Sequence, residues 1–270
     1  MSDAAPPFDP DLLRRGGVRT HRDGPVLSVV LNRPDNRNAQ LPQTWDALRH
    51  IGDHLDDGVR VVTVTGTGSS FSAGLDRSAF RPDPDSLLAR IARAPDSVAD
   101  EMISGFQDSF SWLTQPRFVS VAAVHGHAIG AGFQLALACD LILCADDARF
   151  SMAEVTLGLV PDLGGTRRLA DRVGRSRALE MCVTGRRVGA DEAVRTGLAL
   201  LAVPGAQLEG TLADLLSSLL DPPADAVRAV TRMFDLIGDR TMDDQLAIER
   251  TEQIARIRAL SGTLLDLPRP

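Results

Sequence analysis

Short apolar runs rich in β-branched residues recur along the chain as far as about residue 203. Runs of this length and composition predict buried strands. Between them, apolar residues return every three or four positions. The series from Leu41 to Leu55, which stops before Gly58, predicts a helix. We predict strands at 18–21, 26–31, 59–65, 118–124, 141–144 and 149–152.

The pattern changes after about residue 204, where only helical spacing remains. The segments 208–220, 224–237 and 241–260 carry apolar stripes with no strand between them. A short helical arm cannot bury such stripes alone, so we expect it to pack on another subunit. The sequence therefore predicts a flexible N-terminus at 1–17, an α/β core at 18–203 that holds the functional site, and a helical oligomerisation region at 204–270.

One long stretch of the predicted core, 77–116, lacks a clear pattern. Pro82, Pro84 and Pro95 interrupt it, and helical spacing returns only after Val98. Long irregular inserts inside compact domains are often functional, so we expect this one to form a wall or lid over a site.

Composition and charge narrow the class of protein. The 270 residues carry a formal net charge of −7, which disfavours nucleic acids and anionic membranes as partners. All cationic side chains other than histidine are Arg, so any cationic phosphate contact comes from Arg. The three cysteines follow no zinc or redox spacing, and polar residues interrupt the apolar stretch 118–145. We predict a cytoplasmic protein without disulfides or a membrane span.

Two glycine-containing turns, at 70–76 and 125–134, each follow a predicted buried strand and lead towards a helix. Small residues there let a ligand approach the backbone. Free N–H groups at a helix start carry partial positive charge. Two such turns facing each other would form an oxyanion hole, in which one donor contributes about 3–4 kcal/mol to transition-state stabilisation. The alternative for both turns is plain tight packing of a strand against a helix.

Several short motifs stand in the order and spacing of the crotonase (enoyl-CoA hydratase/isomerase) family, which the chain resembles from about residue 18 to residue 203. The resemblance implies a spiral of ββα units, with C-terminal helices that assemble trimers, often paired into hexamers. It also implies an acyl-CoA thioester substrate and neither a separate cofactor nor a metal. The motifs are Asn32-Arg33-Pro34, Arg37-Asn38-Ala39, Phe71-Ser72-Ala73-Gly74-Leu75-Asp76, the segment 126–140, Glu154 with Gly158, Gly164-Gly165-Thr166-Arg167-Arg168-Leu169 and Thr184-Gly185-Arg186-Arg187.

The resemblance assigns roles to individual positions. It makes the backbone N–H groups of Leu75 and Ala131 the oxyanion donors. The residues that it implies for CoA or substrate binding are Arg37, Ala39, Ala73, Asp76 and Gly130. Ser78 stands where relatives carry a lysine, so one expected phosphate contact is missing.

Three side chains define the predicted chemistry. Glu154 matches one of the family's two catalytic carboxylates, and its apolar neighbours predict a raised pKa suited to proton exchange, although most glutamates lie on the surface. Gln134 stands where a hydratase has its other glutamate, and Gln cannot take a proton from water. Asp162 matches the spacing of a catalytic Asp in the dienoyl-CoA isomerase branch, but it is equally a candidate N-cap for a helix from Gly164.

These side chains leave three hypotheses open. The first is a double-bond shift in an enoyl- or dienoyl-CoA, in which Glu154 removes a proton and Glu154 or Asp162 returns it. The second is hydration of an enoyl-CoA by Glu154, with Gln134 orienting the water molecule. The third is a non-catalytic acyl-CoA binding protein.

Overall fold

The computed structural model describes residues 8–264, which form two β-sheets flanked by helices. The predicted flexible segment at 1–7 and the last residues, 265–270, lie outside this range. The strands are β1 (Val18–Asp23), β2 (Val26–Leu31), β3 (Val61–Gly66), β4 (Val119–Val124), β5 (His127–Ile129), β6 (Leu141–Ala145), β7 (Arg149–Ser151), β8 (Val188–Gly189) and β9 (Leu201–Val203).

Helices connect these strands, and several lead directly out of a strand pair. They are α1 (Pro10–Gly16), α2 (Pro42–Asp53), α3 (Leu87–Arg93), α4 (Asp96–Ser111), α5 (Ala131–Ala138), α6 (Gly165–Val173), α7 (Arg175–Thr184), α8 (Ala190–Thr196), α9 (Leu208–Leu220), α10 (Ala224–Phe234) and α11 (Met242–Leu264).

The larger sheet has the strand order β1-β2-β3-β4-β6-β9 and is parallel except for the β1–β2 pair. All six residues of β4 are buried, as expected for a central parallel strand covered on both faces. The smaller sheet has the order β5-β7-β8. The series β4–β5–α5 and β6–β7–α6 each run strand, strand, helix. This repetition confirms the predicted α/β class built from ββα units.

The N-terminal prediction is wrong for residues 10–16, which form α1 and not a flexible segment. The Asp9 side chain caps this helix by accepting hydrogen bonds from the Asp11 and Leu12 amides. Leu13 is buried, and an added Cβ at Gly16 would lie 2.8 Å from the Cβ of Ala47 in α2. The short helix is therefore stabilised by its cap and by packing on α2.

The first helix of the region after residue 204, α9, also differs from the prediction. Instead of packing on another subunit, α9 covers the second face of the larger sheet within the same chain. Its leucines, among them Leu208 and Leu212, pack against Val61 in β3 and Val121 in β4. In contrast, α10 and α11 keep large apolar side chains exposed, including Phe234 at 65%. No helix between residues 8 and 264 combines the length and the apolar character needed to cross a membrane.

Candidate active site

The two glycine-containing turns lie directly against each other. The Ser72 amide donates to the His127 carbonyl at 2.8 Å, and the Ile129 amide donates to the Ser72 carbonyl at 3.0 Å. Gly74 has a φ of 84°, and a Cβ added there would lie 2.3 Å from the Ile129 carbonyl oxygen and 3.5 Å from the Ala131 nitrogen. Only glycine fits this crossing, because any side chain would force the turns apart.

The crossing brings the two predicted oxyanion donors to one place. Ala131 is the first residue of α5, where an amide has no acceptor within its own helix. Within residues 8–264, neither the Ala131 amide nor the Leu75 amide donates a hydrogen bond. Both residues line the same cavity. The arrangement can hold one oxygen that gains negative charge.

Gln40 braces this crossing and was not identified from the sequence. Its backbone amide donates to the Gly74 carbonyl at 2.7 Å, and its carbonyl accepts from the Asp76 amide at 2.8 Å. Its fully buried side chain donates to Ser72 Oγ at 3.3 Å and accepts from Trp45 Nε1 at 2.8 Å. No sequence signal distinguishes such a glutamine from an exposed one, because its contacts come from segments far apart in the chain.

A largely apolar cavity of about 320 Å³ opens beside the two free amides. Trp45 of α2 forms part of its wall, and the irregular insert supplies much of the rest through Phe80, α3 and α4. The prediction that residues 77–116 form a wall is therefore confirmed. The lining residues from the insert are Phe80, Leu87, Leu88, Ile91, Ile103 and Phe106.

Gln134 and Glu154 form a hydrogen-bonded pair in this cavity. Gln134 is fully buried, and its Oε1 accepts from the amides of Leu163 at 2.9 Å and Gly165 at 3.2 Å. Because two N–H groups fix that oxygen, the amide cannot rotate, and its Nε2 donates to Glu154 Oε1 at 2.7 Å. Gln134 thus binds one Glu154 oxygen and leaves the other free.

Glu154 lies over the glycine that precedes the second oxyanion donor. A Cβ added at Gly130 would be 3.3 Å from Glu154 Oε1. Glu154 Oε2 is buried and has no hydrogen-bond partner. Burial raises the pKa of Glu154 above its ordinary value, and the negative charge of Asp162 adds to the rise, although the hydrogen bonds from its own backbone and from Gln134 oppose it. A carboxylate in this state suits proton exchange near neutral pH.

Asp162 lines the same cavity, and its carboxyl lies close enough to influence Glu154. It is not a helix cap, since the N-cap of α6 is Gly164 and no side chain accepts a hydrogen bond there. Although the residue as a whole is exposed to solvent, partial burial of its carboxyl raises the pKa of Asp162. Gln107 of α4, which sequence reasoning missed, donates to the Asp162 carbonyl at 2.7 Å and ties this loop to the wall.

Four of the five positions implied for CoA or substrate binding line a second, adjoining cavity of about 490 Å³, and the fifth, Gly130, lines the apolar cavity. Arg37, Ala39 and Ala73 line it, and the Ala73 amide donates to the Arg37 carbonyl at 2.8 Å. Asp76 lines it too, but its carboxylate is already paired with Arg33 at 3.1 Å and accepts from the Ser78 amide at 2.9 Å. Burial would raise the pKa of Asp76, but these contacts outweigh it and hold the pKa below its usual value. The carboxylate of Asp76 thus holds the loop together.

Metal ligands are not clustered in the described part of the chain, where no group of three or more His, Cys, Asp or Glu side chains could hold an ion. His127 Nδ1 lies instead 3.3 Å from Ser70 Oγ.

Comparison with known proteins places this geometry in a family. The sequence model for enoyl-CoA hydratase/isomerase matches residues 21–259. The crystal structure of a Thermobifida fusca protein in complex with acetoacetyl-CoA superposes with a TM-score of 0.88 at 40% identity, covering 95% of this chain and 100% of that one. The carnitinyl-CoA dehydratase of Escherichia coli is 34% identical over 225 residues, which are 83% of this chain and 82% of that protein. A protein of Mycobacterium tuberculosis named as a probable enoyl-CoA hydratase is 29% identical over 235 residues, 86% of each chain.

The match covers the ββα core, both turns and most of the C-terminal helices. The chain belongs to the enoyl-CoA hydratase/isomerase family of acyl-CoA-processing enzymes.

Proposed function

We propose that this enzyme moves a double bond in an enoyl-CoA, with Glu154 as the group that removes and returns the proton. The observation that carries the proposal is the fixed Gln134 amide, which stands where a hydratase has a second glutamate and donates to Glu154 Oε1. One carboxylate oxygen, Oε2, remains free in the cavity. A single acid–base oxygen is sufficient for a proton shift but provides only half of a water-activating pair.

The proposed reaction assigns one step to each of these groups. The amides of Leu75 and Ala131 bind the thioester carbonyl oxygen, and the acyl chain occupies the apolar cavity. Glu154 Oε2 takes a proton from C2 of a 3-enoyl-CoA, and the electron pair delocalises over the carbonyl and the double bond as a dienolate. The two amides stabilise its oxygen. Oε2 then gives the proton to C4, and the 2-enoyl-CoA forms.

Substrates labelled at C2 test this route. We expect conversion of a 3-enoyl-CoA to raise the absorbance at the wavelength of the conjugated thioester. With a C2-deuterated substrate in ordinary water, part of the deuterium should appear at C4 of the product. Glu154→Gln should lower kcat by about 10²- to 10⁴-fold, the usual contribution of a general base. Asp162→Asn is the matched variant. If the wild type transfers no label and Asp162→Asn loses the double-bond shift, Asp162 returns the proton. Full activity of Glu154→Gln would refute the assigned role.

Water addition to a 2-enoyl-CoA is the second candidate. The names of the Escherichia coli and Mycobacterium tuberculosis relatives favour it, since they denote a dehydratase and a hydratase. In that reaction Glu154 Oε2 would be the base that activates a water molecule, because the Gln134 amide cannot take a proton and its Oε1 is already engaged by two backbone amides. Comparing hydration and double-bond shift in one preparation decides between the candidates. Binding of acyl-CoA with neither activity would support the non-catalytic alternative.

We also propose that the exposed apolar side chains of α10 and α11 pack between subunits of a trimer or a dimer of trimers. The support is the exposure of Phe234 in α10 and of Ile254, Ile257 and Leu260 in α11. Light scattering of the purified protein should give three or six times 28.9 kDa, and a monomeric mass would refute the assembly. The cytoplasmic location stays a prediction from the sequence.

A further inference from the structure

The acyl cavity carries an unbalanced set of ionisable groups. The residues that line it are all described, and the ionisable ones among them are Glu154 and Asp162, both acidic. No Arg or His belongs to the wall. An anionic group entering this cavity would therefore meet two acids and no cationic side chain.

The neutral polar groups of the wall are also engaged. Gln134 uses its oxygen on two backbone amides and one of its two N–H groups on Glu154. Trp45 Nε1 donates to Gln40. The free amides of Leu75 and Ala131 are the donors for the thioester oxygen. The second N–H group of Gln134, beside Glu154, remains, but one neutral donor does not replace the hydration of a carboxylate at the far end of an acyl chain. Burying such a charge without a charged partner is strongly unfavourable.

A positively charged acyl end finds the opposite situation. Asp162 lines the cavity and is exposed to solvent as a residue, and its negative charge attracts a cation. Phe80 and Phe106 line the same cavity, and aromatic faces attract cations, quaternary ammonium groups in particular. The ring of Phe106 is 4.7 Å from that of Trp45, so the wall presents an extended aromatic surface.

We propose that Asp162 is a specificity-determining residue, through which the enzyme accepts CoA thioesters whose acyl chain ends in a neutral or positively charged group and rejects those that end in a carboxylate. The inference rests on the placement of the acyl chain in this cavity under the proposed function. It does not depend on which reaction Glu154 performs.

Calorimetric binding of two matched pairs of saturated thioesters tests the inference. In the first pair, adipoyl-CoA carries a terminal carboxylate, and 6-methylheptanoyl-CoA has a neutral group of the same shape. In the second, 6-(trimethylammonio)hexanoyl-CoA is compared with 7,7-dimethyloctanoyl-CoA, its neutral isostere. For the wild type we expect adipoyl-CoA to bind at least about tenfold more weakly than its partner, and the cationic thioester to bind several-fold more tightly than its partner.

Neutralising single carboxyls identifies the residue responsible. In Asp162→Asn the cationic preference should disappear and the penalty on adipoyl-CoA should shrink several-fold. Glu154→Gln should leave most of both differences in place. Asp108→Asn, which removes an exposed carboxyl of α4 outside the cavity, is the control and should match the wild type.

Two outcomes would overturn the inference: equal wild-type affinities within either pair, or unchanged ratios in Asp162→Asn. Failure of the neutral thioesters to bind would also overturn it, since the cavity would then not hold acyl chains. Saturated chains undergo no double-bond shift, so these results are independent of the isomerase assay. Loss of the isomerase proposal alone would leave the charge preference intact.

Discussion

Replacing Gln134 by Glu changes the chemistry of the site while keeping its shape. The substituted side chain retains an oxygen that accepts from the amides of Leu163 and Gly165. Its second oxygen takes the place of Nε2, which is 2.7 Å from Glu154 Oε1. A hydrogen bond from an amide to a carboxylate thus becomes a contact between two carboxyl groups.

The size of the effect follows from that distance. Two full negative charges 2.7 Å apart repel by roughly 6 kcal/mol at an effective dielectric constant of about 20. A repulsion of this size exceeds the free energy needed to keep one carboxyl group protonated at neutral pH, so we expect the two carboxyl groups to share one proton. The pKa of Glu154 is already raised by burial in the wild type, and the substitution raises the second ionisation of the pair further.

Two activities measured on the same preparation report this change. The double-bond shift in a 3-enoyl-CoA should slow at neutral pH and its pH profile should move to higher pH, because the base is now partly protonated. Hydration of a 2-enoyl-CoA should rise, because two carboxyl oxygens can hold and polarise one water molecule. A folded Gln134→Glu protein with the wild-type pH profile and the wild-type ratio of activities would refute the reasoning.

Gln134→Met separates the gain of a carboxyl from the loss of the amide. It leaves the buried amides of Leu163 and Gly165 without an acceptor, at about 1–3 kcal/mol each. We expect its free energy of unfolding to fall by about 2–6 kcal/mol, with no gain in hydration. Hydration by this variant equal to that of Gln134→Glu would mean that the added carboxyl is not responsible.

Three further predictions concern Glu154 and the turns. Burial raises the pKa of Glu154, so the wild-type rate should begin to fall on acidification at a pH above the ordinary pKa of 4.5. A fall that begins only at or below pH 4.5 would contradict the role of Glu154 as the base. Because the pKa of Glu154 is raised in the folded state, wild-type stability should decline as the pH rises from the ordinary pKa of 4.5 through the raised pKa. Glu154→Gln lacks this titration, so its stability relative to the wild type should increase over that pH range. The same difference in unfolding temperature between the two proteins at pH 5 and at pH 8 would contradict this prediction. Gly74→Ala should lower the free energy of unfolding, measured by denaturant titration, by more than Gly158→Ala. Both glycines have positive φ, but an added Cβ would lie 2.3 Å from the Ile129 oxygen at Gly74 and would have nothing within 4 Å at Gly158. Equal losses of unfolding free energy would exclude the clash.

The central strands were predictable because their sequences need little context. Apolar runs rich in valine, such as 26–31 and 118–124, are typical of buried strands, and the bounds of β2 and β4 follow them closely. The helices α1 and α3 were missed for the opposite reason. Each has seven residues, too few to show a period, and each lies near prolines. The burial of Leu13 in α1 and of Leu87 in α3 comes from tertiary contacts that no local pattern reveals.

In the candidate site, too, residues within a recurring motif were predictable from the sequence, and residues whose role depends on tertiary contacts were not. The order of motifs predicted roles for Leu75, Ala131 and Glu154, because backbone donors and a catalytic carboxylate recur at fixed spacing in the family, and the structure places all three on one cavity. The loop after Glu154 left Asp162 ambiguous between a cap and a cavity residue, and only the position of Gly164 at the N-cap resolved it. Gln40 could not be found, since its role depends on four segments meeting at the crossing of the turns.

The orientation of the Gln134 amide sets the proton chemistry of the site. An amide N–H does not titrate in the accessible pH range, so its bond to Glu154 Oε1 persists whether Glu154 is a base or an acid. The ionised and protonated forms therefore differ only at Oε2. Under the proposed double-bond shift, we expect a proton taken by that oxygen to return only to carbons within its reach, on the same face of the dienolate. We expect exchange of the amide for a second carboxyl to widen the set of carbons within reach, because either carboxyl group of the pair could then carry the proton.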